Sequence, residues 1–164
     1  MRVLVVFAGI MGAASLAQFP EFSQQYLQRL AGKVDGLRAV TQQFDATAAA
    51  SGLSREGALR QLSGSELLEA QQADMRASFV LEQQLSADLE ALRAATPVQR
   101  LAMPRAFRDE ALLEATYADY RPAMPTTLDG AICAGIGYLL ASTIMGTILA
   151  LLRRMIRPRR GAAV

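Results

Sequence analysis

The chain has 164 residues, about half of them hydrophobic, with seventeen basic side chains against fifteen acidic ones and neither histidine nor tryptophan. Without histidine, a Ser-His-Asp triad, histidine acid–base pairs and the usual zinc sites are excluded together, and a single cysteine, Cys133, excludes an intramolecular disulfide. Arg2 and the five arginines after Leu152 supply six positive charges, while the other eleven basic residues face all fifteen acids and leave the middle of the chain at −4, so the basic excess is no nucleic-acid footprint.

Met1-Arg2 is followed by VLVVFAGIMGAASLAQF, apolar and uncharged to Phe19. Two readings stand. One is a secretory signal with Ser15-x-Ala17 as a small-residue cleavage site. The other is a retained membrane helix over residues 1–19, roughly 25 Å long, short for a span but within range. The retained anchor is the expectation. Within it Gly9, Ala13 and Ala17 recur every four residues, a spacing that lets helix backbones approach closely in lipid.

Pro20 suits a first helical turn, and Glu21 complements the helix N-terminus. Phe22, Tyr26, Leu30, Val34, Leu37, Thr41 and Phe44 then recur at spacings of four and three, which predicts an amphipathic helix to about Ala48. Gly32 and Gly36 weaken it and offer places where another helix could approach. Ser51-Gly52 breaks it, and Leu53–Leu62 is a short helix capped by Ser54. Ser63-Gly64-Ser65-Glu66 has the form of a capping box opening the longest helix, which runs to about Ala95. Its stripe is Leu68, Met75, Phe79, Leu85, Leu89 and Leu92, with Leu81 beside it. Thr96-Pro97 ends it. The two long helices pair in expectation as an antiparallel, coiled-coil-like hairpin. Another turn or two of helix follows from Val98 to Met103. Then DEALLEATYADY starts a helix at Asp109-Glu110 and presents Tyr117 and Tyr120. Phe22, Tyr26, Leu81, Tyr117 and Tyr120 are the expected partner surface, and the aromatics among them suit a membrane interface.

From Gly130 to Leu152 there are 23 residues without a charge, then five arginines within eight positions. A helix of that length is roughly 34 Å long and can cross a ~30 Å hydrocarbon core. Pro125 excludes an earlier start, and Thr126 with Asp129 has the form of a capping box. Gly130, Ala134, Ser142, Gly146 and Ala150 carry a four-residue spacing of small residues, broken once by Tyr138. Arg153, Arg154, Arg157, Arg159 and Arg160 mark a cytoplasmic stop and, with Arg2, set the topology and touch anionic lipid.

The stretches QFPEFSQQYLQRLAGKVDGL, SGLSREGAL and ATYADYRPAMPTTLDGAICAGIGYLLA resemble a family of small proteobacterial inner-membrane proteins catalogued only as a domain of unknown function. The likeness covers nearly the whole chain. It implies a two-span bacterial membrane protein and brings no catalytic or binding residues. The family more often has tryptophan where this sequence has Tyr117, and both suit an interface.

The expected fold is all-α: a transmembrane helix at 1–19, a helical periplasmic domain at 20–128, a second transmembrane helix at 129–152 and a basic cytoplasmic tail at 153–164. Both termini are expected in the cytoplasm. The expected function is non-catalytic: a structural or interaction protein of the bacterial inner membrane. It would serve as an accessory subunit of a larger respiratory or photosynthetic complex, or as a homo-oligomer. No cofactor, metal site or catalytic residue is expected. The partners are the lipid bilayer and other membrane subunits or a second copy, with no nucleic acid. The alternatives are a small-molecule-binding or transport accessory protein and, behind it, a carboxylate-based periplasmic enzyme. A deep polar pocket gathering several of Glu82, Asp88, Asp109 and Glu110 would favour the enzyme.

Overall fold

The computed structural model describes residues 2–122 and 126–156, and these are helices and connectors without a strand. The helices are α1 (Arg2–Leu16), α2 (Phe19–Ala50), α3 (Arg55–Gln61), α4 (Glu66–Ala94), α5 (Pro97–Arg100), α6 (Glu110–Ala118) and α7 (Leu128–Ile156), with a 3-10 turn at Pro104–Phe107. The chain divides into two compact units. One comprises Met1–Ser23 with Tyr120–Val164, the other Gln24–Asp119.

The first unit is a helix pair, α1 against α7. Its closest approach is glycine to glycine. A Cβ on Gly12 would lie 2.5 Å from the Gly137 carbonyl oxygen, and one on Gly137 would collide with the Gly12 carbonyl. Gly9 lies against Ser142 and the Tyr138 ring, and Gly9, Cys133 and Gly137 are buried. Backbones meet this closely only where Cβ atoms are missing, which is how helices pack without a hydrophobic drive. The outward faces stay apolar: Phe7 and Ile10 on α1 and Leu139, Leu140 and Ile144 on α7 are exposed. Among the described residues, two helical stretches, one from Arg2 and one at Leu128–Met155, are long and apolar enough to cross a membrane. The α7 cap sits one residue later than the Thr126–Asp129 pattern predicts. Thr127 Oγ1 accepts from the Gly130 amide at 3.2 Å, and Pro125 is outside the described residues.

In the second unit the continuation of α2 presents Tyr26, Leu27, Leu30 and Val34 to Leu85, Leu89 and Leu92 of α4. Ala106 and Phe107 of the 3-10 turn, with Leu112 and Leu113 of α6, complete this core. Further along, Arg38 lies 3.5 Å from Glu82, and Phe44 meets Phe79 edge-on at 5.8 Å between centroids. The contacts therefore run in reverse order along α2 and α4. Both predicted glycines of α2 are open, with nothing within 4 Å of a Cβ at Gly32 or Gly36.

Local chemistry explains the corners. α2 ends at Gly52, whose φ of +70° is available to glycine at no steric cost. The Leu53 amide reaches the Ala48 carbonyl at 2.9 Å and the Gly52 amide reaches Ala49 at 3.0 Å, the Schellman pattern. Ser54 caps α3 as expected, accepting from the Gly57 amide at 3.1 Å. The cap of α4 is Ser65, accepting from Leu68 at 3.3 Å, and not Ser63 paired with Glu66. Gly64 at φ +94° turns the chain between them and leaves Ser63 outside the helix. Thr96, expected only to end α4, also caps α5 in a reciprocal box with Gln99.

Truncating this core should be felt. Leu89→Ala should lower stability by about 2–5 kcal/mol, while Leu67→Ala, at a side chain 77% exposed, should change it by less than about 0.5 kcal/mol. Urea unfolding of the detergent-solubilised chain, followed by circular dichroism, measures both.

Candidate functional site

The acids that would have to converge for carboxylate chemistry are each engaged or exposed. Glu82 faces Arg38 and accepts from the Ser86 hydroxyl at 3.0 Å. Asp88, on the buried side of α4, accepts from Arg108 Nη2 at 2.9 Å through Oδ1. Its buried Oδ2 has no hydrogen-bond partner among the described residues. Asp109 caps α6, its Oδ1 accepting from the Leu112 amide at 3.0 Å and its Oδ2 from Lys33. Glu110 is exposed in the first turn of α6. Among the described residues no three His, Cys, Asp or Glu side chains gather as a metal site.

Electrostatics follow from these contacts. Burial raises the Asp109 carboxyl, but the Lys33 hydrogen bond, the Leu112 amide and the Lys33 charge outweigh it, and the net shift is downward. Tyr26 is pushed up to about 12, first by burial and then by the Asp109 charge. Tyr120 moves upward through burial and the Glu21 carboxylate. On the surface, the Arg55 hydrogen bond lowers Asp45, and the same guanidinium lies 4.0 Å over the Phe79 ring.

The expected partner residues fall into different environments. Tyr26 is not on a surface: it is fully buried, its ring 4.7 Å from that of Phe107. Its size and its place facing Leu89 and Leu92 make it a core anchor. Phe22 and Tyr120 are half-buried and stack edge-on at 5.8 Å, and Tyr120 donates to Gln18 Oε1 at 2.8 Å. Leu81 is 37% and Tyr117 78% exposed. Tyr117 is thus the most accessible of the five.

Among the small residues, Gly9 is buried and Ala13 half-buried on α1, Ala17 is buried just after it, and Ala134 and Ser142 are half-buried on α7. Gly146 and Ala150 instead border an open cleft of about 730 Å³, which Arg2 and Arg153 also line. No atom lies within 4 Å of a Cβ built on Gly146. The helix contact includes the expected Gly9 and Ser142, which meet each other, and also Gly12 and Gly137, which the two four-residue series pass by. Gly137 stands four residues after Cys133 and four before Ala141, and that parallel series was the available signal. Arg154 is exposed, and Arg157, Arg159 and Arg160 lie outside the described residues. Sequence reasoning also missed Arg100. It is buried, and its Nε donates to the Leu92 carbonyl at 2.9 Å near the end of α4.

Residues 1–158 match a family described as a protein of unknown function, DUF2937. The chain belongs to that family. No curated protein and no solved structure matches it. Membership in DUF2937 therefore supplies kinship over almost the whole chain, and the chemistry of the DUF2937 protein rests on its own side chains.

The Lys33–Asp109 contact gives a pH dependence. The folded carboxyl titrates below its unfolded value of about 3.9, so its contribution is complete above that value and is lost as pH falls through the folded one. Asp109→Asn keeps a capping side chain but no charge. It should cost about 1–2 kcal/mol at pH 7, and the gap to the parent chain should narrow as thermal melts are taken to lower pH, below the unfolded carboxyl's range.

Proposed function

We propose that this protein is a non-catalytic structural or interaction protein of the bacterial inner membrane. In this reading α1 and α7 span the bilayer as a helix pair and the Gln24–Asp119 unit stands in the periplasm as a docking module for membrane subunits or for a second copy. One observation carries the reading. The two helices pack on each other through glycines while their outward sides remain lined with Phe7, Ile10, Leu139, Leu140 and Ile144. In water that surface would be a large exposed apolar patch; in hydrocarbon it is ordinary, and only the inter-helix seam needs small residues. Arginines at both chain ends favour a cytoplasmic side for each by the positive-inside rule.

The non-catalytic part of the reading is supported by how the acids are used. Asp109 is a helix cap, Glu82 and Asp88 face arginines, and no buried histidine or thiolate stands ready beside them. The reverse-order contacts of α2 and α4 favour a coiled-coil-like hairpin, with Tyr117 and Leu81 as the apolar points left open to a partner. An accessory role in a respiratory or photosynthetic complex fits this layout.

Topology is measurable directly. A reporter inserted near Gly52 should be active in the periplasm and one fused after Val164 in the cytoplasm; cytoplasmic activity at Gly52 would overturn the layout.

Association is a separate test. In mild detergent the chain should migrate in an assembly larger than its 17.6 kDa monomer. Tyr117→Asp should shift it toward the monomer with an unchanged thermal midpoint, since that side chain packs on nothing it needs for folding. A strictly monomeric parent chain would rule the interaction reading out.

A further inference from the structure

The α1–α7 pair does not stay closed along its length. Its seam is tight at Gly12 and Gly137 and again where Gly9 meets Ser142 and Tyr138. One turn beyond Ser142 the helices have parted: Gly146 faces empty space, and the cleft of about 730 Å³ opens between the start of α1 and the end of α7. It is lined by Val3, Val5, Val6, Leu149, Ala150 and the bare backbone at Gly146, together with Arg2 and Arg153.

The charge in this lining is unbalanced. α1 has no acidic residue, and α7 has only Asp129, at its opposite end. Neither Arg2 nor Arg153 forms an ion pair among the described residues, whereas Arg29, Arg38, Arg55, Arg76 and Arg108 each face a carboxylate. Two guanidinium groups in one cleft repel each other and complement an anion that both can reach. Guanidinium forks suit phosphate oxygens in particular. Apart from those two arginines the cleft offers hydrocarbon walls and no polar side chain.

We propose that this cleft seats one anionic phospholipid, its phosphate held between Arg2 and Arg153 and an acyl chain lying along Val3, Val6 and Leu149 past Gly146. The site rests on the reading that α1 and α7 span a membrane. Its chemistry is specific in both parts: a zwitterionic lipid fills the apolar wedge without neutralising the arginines, and a free phosphate neutralises them without filling the wedge. Gly146 is then a residue that keeps space for a lipid chain, with no helix pressed against it.

The experiment is native mass spectrometry of the full chain released from nanodiscs containing equal amounts of palmitoyl-oleoyl phosphatidylglycerol and phosphatidylcholine. The parent chain should retain phosphatidylglycerol over phosphatidylcholine by roughly tenfold or more, the scale of two interfacial arginines. Arg2→Gln with Arg153→Gln should bring the ratio close to one. Gly146→Leu keeps every charge but fills the wedge, and should remove the retained lipid, while Ile148→Leu, on an exposed position of α7, should not. Equal retention of the two lipids overturns the proposal. So does a preference that survives Gly146→Leu, which would mean loose attraction to the basic tail, or a second copy of the chain cross-linked through Val3 and Leu149 in place of lipid. Should Gly146→Leu fail to fold, the double arginine variant still decides. Extraction of the parent chain from membranes by alkaline carbonate is read alongside: release would defeat the spanning reading and the site with it, whereas retention with no lipid preference defeats the site alone.

Discussion

Gly12 and Gly137 are pressed backbone to backbone, and that contact decides how α1 and α7 can lie against each other. A carbonyl on each side occupies the volume a methyl group would need, so any side chain there forces the helices apart. On the spanning reading proposed above, lipid tails as apolar as leucine would surround the pair, and apolar side chains would gain nothing by turning inward. What draws the helices together is close van der Waals approach, and that requires Cβ atoms to be absent where the axes cross. The apolar bulk of both helices is thereby left on the outside.

The Gln24–Asp119 unit is built differently, around a core drawn from helices with modest apolar stripes. Tyr26, Leu30 and Val34 against Leu85, Leu89 and Leu92 provide that core, and Phe107 and Leu112 close its end. Around it the helix ends are satisfied by side chains: Ser54, Ser65, Thr96 and Asp109 accept from amides, and Arg100 donates to a carbonyl of α4. Buried backbone groups at helix ends are costly if unpaired, so these polar contacts maintain the short connectors as much as the apolar ones do.

The amphipathic period of α2 and the lower part of α4 was legible because one residue type, large and apolar, returned every three or four positions. The Ser51-Gly52 break was legible for the same local reason, since glycine is the residue that accepts a positive φ. Two kinds of feature were not. Caps at Ser65 and Thr127 were placed a residue or two early, because several serines and threonines compete in each stretch and only the turn at Gly64 or the observed amide decides. The seam on α7 was the harder case. Ser142 does meet Gly9, but the series that continues to Gly146 and the one at Cys133, Gly137 and Ala141 have the same spacing on neighbouring helical faces, and composition alone does not rank them. Tyr26 shows the converse: an aromatic near a predicted membrane edge reads as interfacial, but among the described residues it is the largest of the fully buried side chains.

Two of the polar clamps of this unit differ in kind. Arg100 holds the end of α4 with a guanidinium, a group that keeps its charge at any pH a folded protein meets. Asp109 holds the start of α6 with a carboxylate that acid can neutralise. The connectors on either side of the Pro104–Phe107 turn therefore respond unequally to a falling pH. The α4–α5 corner keeps its clamp, while α6 loses both the capping charge and the tie to Lys33. Acid thus acts on the start of α6 through Asp109 and spares the guanidinium that holds the end of α4.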